Sequence, residues 1–257
     1  MVVSITSHMA HFGSALLDFV YPPHCPTCQA WQAPDDRLPL CRACTQSLQT
    51  TSPHRCPRCS APIDALAVKG KSCPNCDHWQ KILFTEALVL TDFVGVAADA
   101  IHHLKFAGCK QIGSFLGHQM GANPDLAQKL GGLDLLVPVP LHAARQRERG
   151  FNQAEEIAKG VGDVLGIPLD TGCVRRILPT RQQARLHVTE RAANMAGAFI
   201  APRAPRGTPS SIGLMDDVLT TGATMSACAA ALRTKSSARI IALAVASPFR
   251  QVGDTLR

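Results

Sequence analysis

The chain has 257 residues, 46% of them hydrophobic, and a formal net charge of +7. This length and apolar content suit an ordinary globular protein with one large or two modest domains. The longest apolar run is too short to cross a bilayer, and the first twenty residues lack the basic start and cleavage site of a secretory signal. We therefore predict a cytoplasmic protein with no membrane span.

The N-terminal segment, residues 1–22, is predicted to contain a short amphipathic helix. Its apolar residues Met9, Phe12, Leu16 and Phe19 recur at helical spacing. A helix of this kind docks on the rest of the protein or on a partner.

Residues 23–80 hold eight of the eleven cysteines, arranged as four C-x-x-C pairs: Cys25/Cys28, Cys41/Cys44, Cys56/Cys59 and Cys73/Cys76. A C-x-x-C turn aims two sulfurs at one point, and two such turns supply the four ligands of a closed tetrahedral Zn²⁺ site. The segment is poor in large aliphatic residues, so it needs metal in order to fold. We predict a double zinc ribbon with two structural zinc ions.

Two pairing schemes satisfy the cysteine spacing. Sequential pairing gives two ribbons in tandem and is favoured, whereas cross-braced pairing is also geometrically possible. Disulfides are disfavoured in a reducing cytosol, and a redox C-x-x-C is expected once, beside a strand–helix turn.

With eight thiolates on two Zn²⁺ ions the net charge falls from +7 to about +3. Basic residues in this segment suit either a nucleic-acid contact or a solvated surface: Arg42, Arg55, Arg58, Lys69 and Lys71.

Residues 84–257 have the hydrophobic pattern of an α/β domain. Apolar runs predict strands, and amphipathic segments between them predict helices. The expected strands are 87–90 with the Phe93 region, 133–139, 211–215 and 240–246. The expected helices are 97–106, 223–232 and one opened by a capping box at Asn152 and Glu155. Alternating strands and helices predict a parallel sheet, in which ligands gather at the carboxyl ends of the strands.

The stretch 214–225, LMDDVLTTGATM, combines two kinds of ligand chemistry. Asp216 and Asp217, at the end of a strand, can accept hydrogen bonds from vicinal hydroxyls such as those of ribose. The turn that follows leads into a helix, where free N–H groups, hydroxyls and the helix dipole suit a phosphate; it comprises Thr220, Thr221, Gly222, Ala223 and Thr224. A generic strand–turn–helix is the alternative, but the whole combination favours a ribose 5-phosphate site.

At these residues the chain resembles the phosphoribosyltransferase superfamily and its motif for 5-phosphoribosyl-1-diphosphate (PRPP). More closely it resembles the ComF family of ComFC-type competence-associated proteins. The resemblance covers nearly the whole chain: the paired cysteines, HHLKFAG at 102–108, VPVPLHAARQRERGFNQ at 137–153, TRQQARLHVTERAANMAGAF at 180–199 and the PRPP motif at 212–225. It implies a type I phosphoribosyltransferase-like α/β domain behind a small zinc-ribbon domain.

The resemblance also implies roles for particular residues. Asp216 and Asp217 would hold the ribose hydroxyls, residues 220–224 the 5′-phosphate, and a loop including Pro140, Leu141 and Arg145 the diphosphate. Arg145, with Arg147 and Arg149 behind it, offers donors for a diphosphate, although this arginine run also fits a solvated helix start. The segment 175–199 is similar in position to the mobile catalytic loop of the family, with Thr180, Gln183, Arg191 and Asn194 on the matching pattern.

Two functions follow from the resemblance. The first is Mg²⁺-dependent transfer of phosphoribosyl from PRPP to an acceptor, with Asp216, Asp217 and Arg145 as catalytic residues, in a protein associated with DNA uptake and natural transformation. The second is a non-catalytic competence protein that contacts single-stranded DNA or a helicase partner, in which PRPP is structural or regulatory. The sequence identifies neither a general base nor an acceptor.

Overall fold

The computed structural model describes residues 24–33, 38–49, 55–63, 73, 76, 82–178 and 197–249. The helix expected within residues 1–22 lies outside these ranges. Among the described residues, none of the helices combines the length and the apolar character that crossing a bilayer requires.

Strands and helices both occur along the α/β domain, as the apolar pattern predicts, but three consecutive helices follow the first strand and two follow the second. After α1 (Arg42–Gln49) in the cysteine-rich segment come β1 (Glu86–Asp92), α2 (Gly95–Phe106), α3 (Lys110–Ala122), α4 (Pro124–Leu130), β2 (Leu135–Pro138), α5 (Ala143–Arg149), α6 (Gln153–Leu165), β3 (Arg175–Arg176), β4 (Phe199–Ile200), β5 (Ser211–Val218), α7 (Ala223–Arg233) and β6 (Arg239–Ser247). Phe93, expected in a strand, lies just beyond β1.

Four of the strands form one parallel sheet in the order β1-β6-β5-β2. The register pairs Asp216 with Ala244 and Val137 with Leu214. The short strands β3 and β4 pair antiparallel with each other in a second, two-stranded sheet. The predicted α/β class with a parallel sheet is therefore confirmed.

Both faces of the four-stranded sheet are covered, which explains why its strands are apolar throughout. On one face, α2, α3 and α6 pack against alternate strand residues such as Leu88 and Leu243, together with Cys25 and Cys44. On the other face, α7 packs with Val89 and Leu214, together with Cys56 and Cys59. The two cysteine groups therefore belong to opposite faces of the sheet.

The free edge of β1 is covered by the turn between Cys56 and Ala61. The Ala87 N–H donates to the Arg58 carbonyl oxygen at 2.8 Å. The Ser60 hydroxyl donates to the Ala87 carbonyl oxygen at 2.8 Å and lies 3.3 Å from the Val89 nitrogen. Because an uncovered edge strand exposes backbone groups to other chains, this turn protects the sheet.

Candidate functional site

The eight paired cysteines form two groups in the structure. Cys25, Cys28, Cys41 and Cys44 converge in one group, and Cys56, Cys59, Cys73 and Cys76 converge in the other. Within each group the ligand atoms lie within 4.8 Å of one another. The favoured sequential pairing is thus the arrangement found.

The spacing of the sulfurs fits a tetrahedral zinc site. Four thiolates at about 2.3 Å from one Zn²⁺ ion place neighbouring sulfurs about 3.8 Å apart. The Sγ–Sγ distance is 3.8 Å for Cys25 and Cys44, and 3.6 Å for each of the other close contacts. Both groups therefore have the donor set and the dimensions of a structural Zn²⁺ site whose four positions are all protein ligands.

Cysteines without a partner at ligand spacing are expected to be buried small hydrophobes, and three cysteines of this chain have no such partner: Cys109, Cys173 and Cys228. Cys173 and Cys228 are fully buried. Cys109, immediately before α3, is only partly buried, so that expectation holds for two of the three.

A cavity of about 370 Å³ lies at the carboxyl edge of the parallel sheet. It is lined by Phe93 after β1, by the residues 139–141 after β2, and by most of the stretch 216–225, which runs from the end of β5 into α7. Several cations also line it: Lys105, Arg145 and Arg176. The structure therefore brings together the two loops that the sequence singled out.

Asp217 is held at one oxygen and unpaired at the other. Its side chain is buried, and its Oδ1 lies 3.0 Å from the Lys105 Nζ. Its Oδ2 is buried and accepts no hydrogen bond from the described part of the chain. A buried oxygen without a donor costs free energy, so this oxygen suits a ligand that brings a hydroxyl.

Asp216 is partly buried and has an altered proton affinity. Burial of its carboxyl group, followed by repulsion from Asp217, raises the pKa of Asp216 to about 7. The Asp217 N–H, which donates to the Asp216 Oδ1 at 2.9 Å, and the charges of Lys105 and Arg176 oppose this rise. Near neutral pH, Asp216 can therefore exchange a proton.

The turn Thr220–Thr224, here called the phosphate loop, ends at the N-terminus of α7. Gly222 is the N-cap, in the left-handed conformation with φ of 74°, and offers no side-chain cap to the helix. The loop is tied to β6, because the Leu219 N–H donates to the Ala246 carbonyl oxygen and the Ser247 hydroxyl donates to the Leu219 carbonyl oxygen. A helix N-terminus beside a cavity suits an anion, because its backbone N–H groups and the helix dipole favour negative charge.

Most of the predicted loop residues that the structure describes line the cavity, with three exceptions, one of which is Arg147. Thr221 does not line it, and its hydroxyl oxygen instead lies 3.4 Å from the Ala223 nitrogen. Arg149 does not line it either, and its guanidinium lies over the Phe106 ring at 5.8 Å. Burial lowers the pKa of Arg149, and the charge of Asp217 opposes the shift. Arg149 is therefore close enough to influence the cavity without forming its wall.

Arg176, at the start of the segment 175–199 that resembles the mobile loop of the family, adds a positive charge to the cavity wall. It belongs to β3 and stacks on Phe199 at 5.6 Å. Burial lowers the pKa of Arg176, and the nearby charge of Arg145 lowers it further. Two like charges in a partly buried cavity repel each other, so an anion placed between them is strongly favoured.

Two further residues of the site belong to sequence motifs that predict no individual role for them. Lys105 belongs to HHLKFAG and reaches Asp217 from α2. Gln153 follows RGFN, is 6% exposed and lines the cavity. Its Oε1 is buried without a hydrogen-bond partner among the described residues. Motif membership was the only signal for either residue, since neither has a distinctive local pattern.

The predicted residues Thr180, Gln183, Arg191 and Asn194 lie outside the described residues, between the two-stranded pair β3 and β4. Of the residues near the start of this segment, Arg176 is the one that the structure brings to the cavity.

Comparisons with known proteins cover both parts of the chain. Residues 16–77 match the family described as "Double zinc ribbon domain". "DNA utilization protein YhgH" of Salmonella typhi is 26% identical over 205 residues, 78% of this chain and 87% of the relative. "Competence protein F" of Haemophilus influenzae is 27% identical over 76% and 84% of the two chains. "Competence protein ComFC" of Bacillus subtilis is 27% identical over 80% and 81%.

The resemblance to the ComF family is confirmed. Because residues 84–257 make up only two thirds of the chain, matches of this extent reach beyond the α/β domain into the preceding segment. The similarity to these relatives therefore includes residues of the α/β domain and residues of the region that precedes it.

Proposed function

We propose that the cavity binds PRPP and that the protein is a phosphoribosyltransferase-like member of the competence system. One observation carries the proposal. Asp217, with a buried unpaired oxygen, and the N-terminus of α7, whose N-cap Gly222 has no side chain, lie in the same cavity as Arg145 and Arg176. Acceptors for hydroxyls, a phosphate cradle and a cation pair match the three parts of PRPP.

Each part of the ligand has its own group of residues in this proposal. Asp216 and Asp217 accept hydrogen bonds from the ribose hydroxyls, and the phosphate loop with the first turn of α7 binds the 5′-phosphate. Arg145 and Arg176 bind the diphosphate. Gln153, whose Oε1 is unpaired, supplies an additional acceptor in the same cavity. The carboxylates and the phosphate-binding groups address opposite ends of the ligand, which avoids repulsion.

The same arrangement supports transfer of the phosphoribosyl group. Departure of diphosphate from the ribose C1 leaves oxocarbenium character on the sugar and negative charge on the leaving group. The carboxylates stabilise the first charge, and Arg145 and Arg176 stabilise the second. Mg²⁺ bound with PRPP would neutralise part of the diphosphate charge. The acceptor is the group that takes the place of diphosphate at C1.

A role in DNA uptake is proposed on the names of the relatives. Two are called competence proteins and one a DNA utilization protein. The second candidate function, a non-catalytic protein that contacts single-stranded DNA or a competence helicase, has the same basis. The exposed Arg147 of α5 also suits a nucleic-acid backbone.

Calorimetric titration of PRPP, with and without Mg²⁺, tests the site directly. We expect the wild-type protein to bind PRPP and Asp217→Asn to bind it at least about tenfold more weakly, because a hydrogen bond to a charged acceptor is lost. Pyrophosphate release, measured with a panel of nucleobase and amine acceptors, reports transfer.

Asp134→Asn is the matched control. The Asp134 carboxylate accepts hydrogen bonds from Ser210 and Ser211 at the opposite edge of the same sheet, so its loss should leave PRPP affinity unchanged. A wild-type protein that fails to bind PRPP, or an Asp217→Asn variant that binds it normally, would contradict the proposed site. Binding without pyrophosphate release favours the non-catalytic function.

A further inference from the structure

We propose that residues 82–84, here called the linker, position the phosphate loop. The linker lies between the second cysteine group and β1, and it packs against Gly222 and the first turn of α7. The inference rests on the proposed function only in treating Thr220–Thr224 as a ligand-binding element. It adds a structural role for a segment that lines none of the cavity.

The first contact is between Phe84 and Gly222. Phe84 is buried, and a Cβ atom placed on Gly222 would lie 3.2 Å from the Phe84 Cζ and 3.6 Å from the Ile82 Cγ2. The open side of the glycine therefore faces the linker. Because Gly222 has the positive φ that turns the loop into α7, the Phe84 ring supports the loop backbone at the residue where its direction is set.

Hydrogen bonds from Leu83 fix the same helix. The Leu83 N–H donates to the Ser226 Oγ at 3.1 Å, and the Arg233 Nε donates to the Leu83 carbonyl oxygen at 3.1 Å. Ser226 in turn donates its N–H to the Gly222 carbonyl oxygen at 2.8 Å. Both backbone polar groups of one linker residue are thus bound to α7, one near each end. These bonds resist sliding of α7 along the linker and hold its N-terminal N–H groups toward the cavity.

The linker is anchored on the side of the second cysteine group. Phe84 shares an apolar cluster with Cys56, Cys59 and Met225, and Ile82 packs against that cluster. The first cysteine group contributes to the cluster on the opposite face of the sheet. The two zinc sites are therefore not equivalent for the cavity: the second is continuous with the support of the phosphate loop, and the first is separated from it by the sheet.

Hydrogen exchange in the ligand-free protein tests this role. Phe84→Ala should speed exchange of the amides in residues 220–226 by about tenfold or more, because the loop loses its support and opens locally. Phe115→Ala is the matched control, since Phe115 is a buried phenylalanine on the opposite face of the sheet. Unchanged loop exchange in Phe84→Ala, or an equal increase in Phe115→Ala, would overturn the proposal.

Ser226→Ala keeps the test decisive if Phe84→Ala fails to fold. It removes one acceptor for the linker and should speed exchange in the first turn of α7 by about threefold or more, in line with the loss of one hydrogen bond. Ser114→Ala, which alters a serine hydroxyl within α3, should leave that turn unchanged. If neither linker-contact variant alters exchange in the turn, the positioning role is wrong.

The affinity for PRPP is the second readout and separates the two proposals. Phe84→Ala should weaken PRPP binding by about tenfold, since a displaced loop no longer meets the phosphate. A wild-type protein that does not bind PRPP refutes the proposed function, while the exchange difference still decides whether the linker positions the loop.

Discussion

Asp216 and Asp217 are neighbours in the sequence, yet they have different surroundings in the structure. The side chain of Asp217 is more deeply buried and is paired with Lys105 at 3.0 Å. Asp216 is partly exposed, and its pKa is raised to about 7 by burial and by the charge of Asp217. Successive strand residues point to opposite sides of a sheet, which explains how one pair supplies two different carboxyl groups.

The raised pKa of Asp216 predicts how stability depends on pH. Because the folded-state pKa of Asp216 lies above the ordinary value of 3.8 for an aspartate, the contribution of Asp216 to stability is complete at low pH and is lost as the pH rises through about 7. Asp216→Asn removes this dependence. Its free energy of unfolding relative to wild type should therefore be higher at pH 8 than at pH 6 by about 1 kcal/mol.

Urea unfolding at pH 6 and pH 8, with zinc present, measures this difference. Asp134→Asn is again a useful comparison, because hydrogen bonds from Ser210 and Ser211 lower the pKa of Asp134 to about 2, far below this range. If wild type and Asp216→Asn lose stability in parallel between pH 6 and pH 8, the assignment of the titration to Asp216 is wrong.

Individual side chains differ in how far the sequence could identify them. Asp216 and Asp217 can be identified from the sequence, because two carboxylates at the end of an apolar strand have no packing role. Gln153 cannot be identified in this way, since a glutamine at the start of a helix is commonly exposed. Its burial follows from the anchoring of α6: the Asn152 Nδ2 donates to the Val139 carbonyl oxygen at 3.0 Å. That contact joins two segments that no local pattern connects.

At the scale of helices, the packing of α3 against α6 supports one wall of the cavity. Gly117 and Gly160 meet at this crossing, and a Cβ atom on Gly160 would lie 2.0 Å from the Ser114 carbonyl oxygen. On Gly117 it would lie 2.0 Å from the Ile157 carbonyl oxygen. The backbones therefore approach more closely than any side chain permits.

Gly160→Ala should consequently destabilise the protein by at least about 2 kcal/mol, because the two helices must separate to admit a methyl group. The measurement is the free energy of unfolding by urea. Gly132→Ala is the control, since the nearest atom to its added Cβ would be the Lys129 carbonyl oxygen at an ordinary 3.6 Å. A Gly160→Ala variant as stable as Gly132→Ala would contradict the close approach.

Helix termini were predicted with partial success. Asn152 caps α6 as expected, because its Oδ1 accepts a hydrogen bond from the Ala154 N–H. Glu155 instead pairs with Lys159 at 3.0 Å, which is the i,i+4 arrangement on a helix surface. The cap depends on the adjacent residues alone and was therefore predictable. Glu155 has two possible local partners, the Asn152 N–H of a capping box and the Lys159 ammonium group, and the structure pairs it with Lys159.

For the molecule as a whole, the second cysteine group joins the ribbon to the sheet. Ser60 and the Arg58 carbonyl oxygen cover the edge of β1. This turn, Cys56 to Ala61, contains the zinc ligands Cys56 and Cys59. Its shape therefore depends on the metal site. Loss of that site should expose the edge of β1.

Cys56→Ser should accordingly lose one of two zinc ions and form higher oligomers through the exposed strand edge. Elemental analysis gives the zinc content, and size-exclusion chromatography with light scattering gives the mass. Cys28→Ser, in the first group, should lose one zinc ion without this association, because the hydrogen bonds that cover the edge of β1 come from Arg58 and Ser60 in the second group's turn. A Cys56→Ser variant with one zinc ion and the mass of wild type would show that the edge stays covered.

The sequence by itself determined the zinc ligands, the parallel α/β class and the strand–turn–helix that contains Asp216, Asp217 and Gly222. Each depends on short spacings or on local periodicity, which a chain segment carries with it. Only the tertiary structure decided that Lys105, Gln153 and Arg176 meet at the same cavity, and that the linker contacts Gly222 and α7. These contacts join segments far apart in the chain, and they arise from the order in which the strands pair and from packing over the whole sheet.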